Sequence, residues 1–85
     1  MTDETRSEAI RVLKRMRCLA KIRVQRPSLR LMRPADVGLL KWMQTDVARA
    51  VADALSGTRY YRETLRTGWL ASLDKAIASL EASDA

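Results

Sequence analysis

Histidine and phenylalanine are absent from this 85-residue chain, cysteine occurs once, and there are only three glycines and two prolines. Without histidine the chain lacks the commonest general base and the commonest protein ligand of transition metals. The single cysteine, Cys18, can form neither a cysteine–histidine nucleophile pair nor a zinc site. The glycines are isolated from one another, so there is no glycine-rich phosphate loop. We therefore predict a protein that is not an enzyme and binds no metal or cofactor.

Other absences bear on the compartment. One cysteine excludes an internal disulfide, which fits a reducing environment. The acidic start, residues 1–4, is followed by no long apolar run, so it is not typical of a signal peptide. No stretch approaches the roughly 20 apolar residues that a membrane-spanning helix needs. We expect a cytoplasmic protein with no membrane partner and no small-molecule substrate.

Positive charge is concentrated in the first part of the chain. Residues 1–34 hold ten basic and three acidic residues, whereas residues 35–85 hold six basic and seven acidic ones, and the net charge is +6. A basic segment of this kind predicts an acidic partner, either nucleic acid or an acidic protein surface. Arginine outnumbers lysine by twelve to four and alanine is abundant, a bias that GC-rich coding would also produce without any function.

Apolar side chains that recur at three- and four-residue steps predict an all-α fold. The expected architecture is a small three-helix bundle or an open three-helix array within a single domain. The predicted segments are helix 1 at about 5–22, an ordered connector rich in proline and arginine at 24–34, helix 2 at about 34–56, and helix 3 at about 58–82.

Glycine and threonine set the predicted helix boundaries after residue 55. Gly57 should end helix 2 in the left-handed conformation, and Thr58 should cap helix 3. Gly68 disfavours helix, so helix 3 either runs through this residue or is broken near it. The core face predicted for helix 3 consists of Leu65, Trp69, Leu73, Ala76, Ile77 and Leu80.

The cations of helix 1, the connector and the start of helix 3 are the first candidate surface. Phosphate attracts such a surface whatever the base sequence, and no aromatic residue is interleaved with the cations of residues 1–41. The pattern therefore argues for contact with a phosphate backbone rather than for base stacking. The candidate contacts for nucleic acid or an acidic partner are Arg11, Lys14, Arg15, Lys21, Arg30, Arg59, Arg62 and Arg66.

The start of helix 3 combines basic and aromatic residues, as a recognition helix would. A helix-turn-helix is disfavoured, because the apolar stripe of helix 2 continues unbroken to Leu55 where that motif needs an earlier turn. The alternative is that helix 3 overhangs the bundle there and its arginines extend along the apolar surface. Cys18 lies among the cations of helix 1, either as a redox-sensitive thiol or, as we favour, an incidental surface cysteine.

Three aromatic residues, Trp42, Tyr60 and Tyr61, are candidates for a protein interface. Trp42 lies off the apolar stripe of helix 2, so it either anchors a partner or covers the connector within the chain. A homodimer that buried Trp42 would also enlarge the small core.

Three hypotheses remain open from the sequence. The first is a regulator that docks an arginine-rich surface onto nucleic acid or a nucleoprotein, and it predicts that the cations of helices 1 and 3 converge. The second is a phage or mobile-element inhibitor or adaptor that occludes a host protein, and it predicts an exposed apolar patch. The third is a self-assembling structural subunit, which predicts an oligomer that buries both surfaces.

Overall fold

A computed structural model describes residues 1–26, 28 and 44–82 of the chain. These residues form helix α1 (Asp3–Gln25), helix α2 (Thr45–Ser56), a single 3-10 turn (Tyr60–Arg62) and helix α3 (Arg66–Ala82). No strand is present in these ranges, so the predicted all-α, three-helix class is confirmed. The predicted connector after Arg26, the start of helix 2 at Pro34 and Trp42 lie outside the described residues, with the exception of Ser28.

Helix α1 is longer than predicted at both ends. Its start is capped by Thr2, whose hydroxyl accepts a hydrogen bond from the Thr5 N–H at 3.1 Å, and the acidic side chains of Asp3 and Glu4 lie in the first turn. Both features stabilise the positive end of a helix. The helix ends at Gln25, so two residues assigned to the connector, 24 and 25, belong to α1. Its buried face consists of Ala9, Leu13, Met16, Ala20 and Arg23.

The prediction of an unbroken helix from Pro34 to Ser56 is wrong. Gln44 has φ −59° and ψ 147°, an extended conformation, and the helix begins at Thr45. The apolar period of the sequence is consistent with a longer helix and does not report the extended conformation of Gln44. The predicted end at Ser56 is confirmed, although Gly57 adopts a right-handed conformation with φ −74° rather than the left-handed one.

The chain between α2 and α3 also differs from the prediction. Thr58 does not cap a long helix: its hydroxyl donates to the Leu55 carbonyl at 2.6 Å and accepts from the Tyr60 N–H at 3.2 Å. These bonds hold the 3-10 turn against the end of α2. The helical path then breaks at residues 63–65, and Gly68 lies inside α3 rather than at the break.

The core is built from all three helices and from the 3-10 turn. Its members are Ala9, Leu13, Met16, Ala20, Val47, Ala50, Val51, Leu55, Tyr60, Leu73, Ala76, Ile77 and Leu80, with Trp69 partly buried against them. Leu65 was predicted to belong to this core face, but 66% of it is exposed because it precedes the first turn of α3. Tyr60 is fully buried, so the prediction that it anchors a partner at the surface is wrong.

Helices α1 and α3 are antiparallel. Lys14 contacts Glu81, Arg17 contacts Asp74, and Arg23 lies against Trp69. Later residues of α1 therefore contact earlier residues of α3. The end of α1 therefore meets the beginning of α3. Within the described ranges, none of the helices has both the length and the apolar character that crossing a membrane requires.

Candidate nucleic-acid interface

Two cations of α1 are paired with carboxylates across the α1–α3 interface. Arg17 Nε lies 2.8 Å from an Asp74 carboxylate oxygen, and Lys14 Nζ lies 3.6 Å from one of Glu81. All four side chains are partly exposed, so each pair contributes on the order of 0–1 kcal/mol to stability. Their main effect is to reduce the positive potential along the side of the bundle.

Arg11 is also paired, in this case within its own helix. Its Nη1 lies 3.1 Å from a carboxylate oxygen of Glu8. Arg15 is exposed on the same side of α1, and no ion pair to it occurs within residues 1–26 and 44–82. The outer face of α1 therefore presents less net positive charge than its count of cations implies.

The end of the bundle where α1 meets α3 is the most positive region that the structure assembles. Arg66 Nη1 donates a hydrogen bond to the Arg23 carbonyl at 3.2 Å, which joins the last turns of α1 to the first turn of α3. Five cations and one carboxylate, Glu63, lie in the two chain segments that meet here, 21–26 and 62–66. We call this region the basic end; its cations are Lys21, Arg23, Arg26, Arg62 and Arg66.

Arg23 is the buried cation of the basic end. Only 2% of it is exposed, and its guanidinium carbon lies 5.6 Å from the centre of the Trp69 ring, in cation–π contact. Arg23 was not assigned from the sequence to the buried face of helix 1. Its spacing held the signal, because position 23 continues the three- and four-residue steps of Met16 and Ala20.

The segment before α3 is fixed by side-chain contacts with the backbone. Trp69 Nε1 donates to the Glu63 carbonyl at 3.1 Å, and the Leu65 carbonyl accepts from the N–H groups of Gly68 and Trp69 at 3.0 and 3.3 Å. Gly68 matters here for its small volume: a Cβ at this position would overlap the Glu63 carboxylate and lie 2.9 Å from its Cγ. The Glu63 side chain can therefore lie over the first turn of α3 only because residue 68 is glycine.

A double-mutant cycle tests this packing. Gly68→Ala should change the free energy of unfolding little, because the cost of displacing the Glu63 side chain offsets the helix propensity of alanine. In a Glu63→Ala background the same change should raise it by about 0.5–1 kcal/mol, since the overlap is gone and the propensity gain remains. Urea titration of the four proteins measures both values. Equal effects of Gly68→Ala in the two backgrounds would contradict the packing.

The predicted contact residues divide into three groups. Lys21, Arg62 and Arg66 come together at the basic end, and Arg59 is exposed just before the 3-10 turn. On the side of α1, Arg11 is paired with Glu8 and Lys14 with Glu81, and Arg15 is exposed on the same helix. Arg30 lies outside the described residues.

The aromatic candidates also separate. Tyr61 is 47% exposed and makes an edge-to-face contact with Tyr60, with ring centres 5.4 Å apart. Because Tyr60 is buried and Trp42 lies outside the described residues, Tyr61 is the candidate that the structure places at the surface. Cys18 is exposed on α1, as predicted.

A shallow, open cavity of about 430 Å³ lies far from the basic end, between the start of α1 and the outer face of α2. Its lining mixes charges of both signs: Met1, Thr2, Thr5, Asp46, Arg49, Ala50 and Asp53. Arg49 thus lies between two carboxylates on α2, which makes its surroundings unlike those of the basic end.

No family model matches this chain, and neither a curated protein nor a solved structure is significantly similar to it. The functional argument therefore rests on the residues and their geometry.

Proposed function

We propose that this protein is a non-catalytic regulator that docks its basic end onto the phosphate backbone of nucleic acid, free or within a nucleoprotein. The supporting observation is the antiparallel packing of α1 and α3, which brings cations from distant parts of the sequence to one end. Convergence of charge is what electrostatic docking requires, because the potential of neighbouring cations adds. We include in the proposal a cytoplasmic location, inferred from the sequence.

The geometry also supports this function by polarising the molecule. The opposite end carries Asp3, Glu4 and Glu8 at the start of α1 and Glu81 near the end of α3, beside Arg6, Arg11 and Lys14. Charges of both signs largely cancel there. The protein should therefore approach a phosphate backbone in one orientation, with its basic end facing the phosphates.

The hypothesis of a protein inhibitor or adaptor predicted three aromatic interface residues, and one of them, Tyr60, is buried. Tyr61 and the exposed Leu65 keep it open as the alternative. Self-assembly stays a third hypothesis, and sedimentation of the free protein addresses it.

Binding to labelled DNA and RNA, both duplex and single-stranded, measured by fluorescence anisotropy across a salt series, tests the proposal. Four phosphate contacts, one for each cation of the basic end other than the buried Arg23, predict a log–log slope of the association constant against salt of about −3 to −4. Lys21→Glu combined with Arg62→Glu should raise the Kd about tenfold or more near 0.1 M salt and make the slope shallower by about two, because two contacts are lost.

The matched control is Arg49→Glu combined with Lys75→Glu, which changes the net charge equally on α2 and on the exposed side of α3. It should raise the Kd much less than the pair at the basic end. Equal losses in the two double variants would show that net charge alone drives binding. Undetectable binding of wild type near 0.1 M salt would refute the proposal.

A further inference from the structure

The basic end also exposes two aliphatic side chains. Leu65, immediately before α3, is 66% exposed, and Ile22, in the last turns of α1, is 42% exposed. Single exposed aliphatic residues are common on protein surfaces. Here both are chain neighbours of the two residues joined by the Arg66–Arg23 hydrogen bond, so they lie at the end that carries the converging cations.

The backbone that carries Leu65 is held in place. On one side of it, the Glu63 carbonyl accepts the hydrogen bond from the Trp69 indole, and on the other, Arg66 reaches the carbonyl of the buried Arg23. Trp69 in turn packs against the hydrophobic core. The exposed Leu65 side chain therefore projects from a braced turn rather than from a segment without tertiary contacts.

An aliphatic side chain flanked by cations on a rigid support has the chemistry of a wedge that enters duplex DNA. Proteins that bend DNA through the minor groove insert leucine, isoleucine or methionine between base pairs while cations hold the adjoining phosphates. Leu65 is followed directly by Arg66 and preceded at three residues by Arg62, while Ile22 is preceded directly by Lys21 and followed at four residues by Arg26. Both aliphatic residues thus have cations before and after them in the sequence that could contact phosphates.

We propose that the partner of the basic end is duplex DNA, and that Leu65 inserts from the minor groove at a deformable base step and kinks the duplex. This inference rests on the proposed nucleic-acid function and adds the kind of nucleic acid and the mode of contact. Pyrimidine–purine steps such as TA unstack most easily and should be preferred. Ile22, exposed at the same end of the bundle, is the second apolar residue that the duplex could contact.

The experiment uses the full chain and a DNA duplex of about 20 base pairs with a central TA step and a donor and acceptor dye at its ends. Wild type should increase energy transfer between the dyes, because a kink brings the two ends together. Leu65→Ser should reduce this increase at least about twofold at saturating protein, while Leu65→Met, which keeps an apolar wedge, should retain most of it. Circular dichroism should show unchanged folding, since Leu65 is largely exposed.

The possible outcomes separate this inference from the function on which it rests. Salt-dependent binding of DNA with no change in energy transfer would overturn the wedge and leave electrostatic docking intact. An equal bend with wild type and Leu65→Ser would also overturn it. Binding to single-stranded DNA or RNA but not to duplex DNA would overturn this inference and leave the proposed function intact. Failure to bind any of these nucleic acids, together with binding to polyglutamate, would overturn both proposals and indicate an acidic protein partner.

Discussion

Replacing Tyr60 with alanine should lower the free energy of unfolding by about 3–5 kcal/mol, the range for truncating a large aromatic side chain in a core. Tyr60 is fully buried and is the largest side chain in the fully buried set. A chain of 85 residues has a total stability of about 4–13 kcal/mol, so the variant should be largely unfolded or melt far below wild type. Thermal melting followed by circular dichroism at 222 nm measures the change.

Tyr61→Ala is the matched control, because it removes the same side chain from the next position. Tyr61 is 47% exposed, and we expect its loss to cost at most about 1 kcal/mol, including the contact with the Tyr60 ring. Similar melting temperatures for the two variants would contradict the burial of Tyr60. A severe loss in Tyr61→Ala alone would mean that the two rings have exchanged roles.

Arg23→Ala should lower the free energy of unfolding by about 2–4 kcal/mol, although the substitution removes a cation from a strongly basic protein. The long Arg23 side chain fills space in the core, and its guanidinium group lies over Trp69, a contact worth up to about 2 kcal/mol when shielded from water. Urea titration gives the stability. In a Trp42→Phe background, where Trp69 is the only tryptophan, the emission maximum should shift to longer wavelength, because the substitution exposes the Trp69 ring.

Lys21→Ala and Arg26→Ala are the controls for this prediction. Both remove an exposed cation within three residues of Arg23, and neither should change the stability measurably. A stability of Arg23→Ala equal to theirs would show that Arg23 behaves as a surface residue. Increased stability would mean that relief of charge repulsion at the basic end outweighs the lost packing.

The two tyrosines show where a sequence pattern stops being informative. Both positions share a chemistry and a neighbourhood of cations, and a continuous helix from Thr58 would have placed them together at the start of a recognition surface. The chain instead forms a 3-10 turn stabilised by the Thr58 hydroxyl, and this turn directs Tyr60 into the core. The local hydrogen bond from the Thr58 hydroxyl to the Leu55 carbonyl thus helps to place Tyr60, a predicted interface residue, in the core.

Leu65 gives the opposite case. Its four-residue spacing from Trp69 predicts a shared core face, and that spacing is valid only if both residues lie in one helix. Because α3 begins at Arg66, Leu65 lies just outside the helix and its side chain is exposed. The break is held by the local bond from the Trp69 indole to the Glu63 carbonyl and by the long-range bond from Arg66 to the Arg23 carbonyl, neither of which the periodicity of the sequence reports.

The sequence by itself determined the helical class and most of the core, because three- and four-residue steps of apolar side chains are a local property of the chain. It also determined the excess of positive charge and the absence of histidine. Only the tertiary structure decided which cations act together. Packing α1 antiparallel to α3 pairs Lys14 and Arg17 with Glu81 and Asp74, buries Arg23, and leaves Lys21, Arg26 and Arg62 of the basic end exposed. Charges are counted along the chain, but potentials add in space.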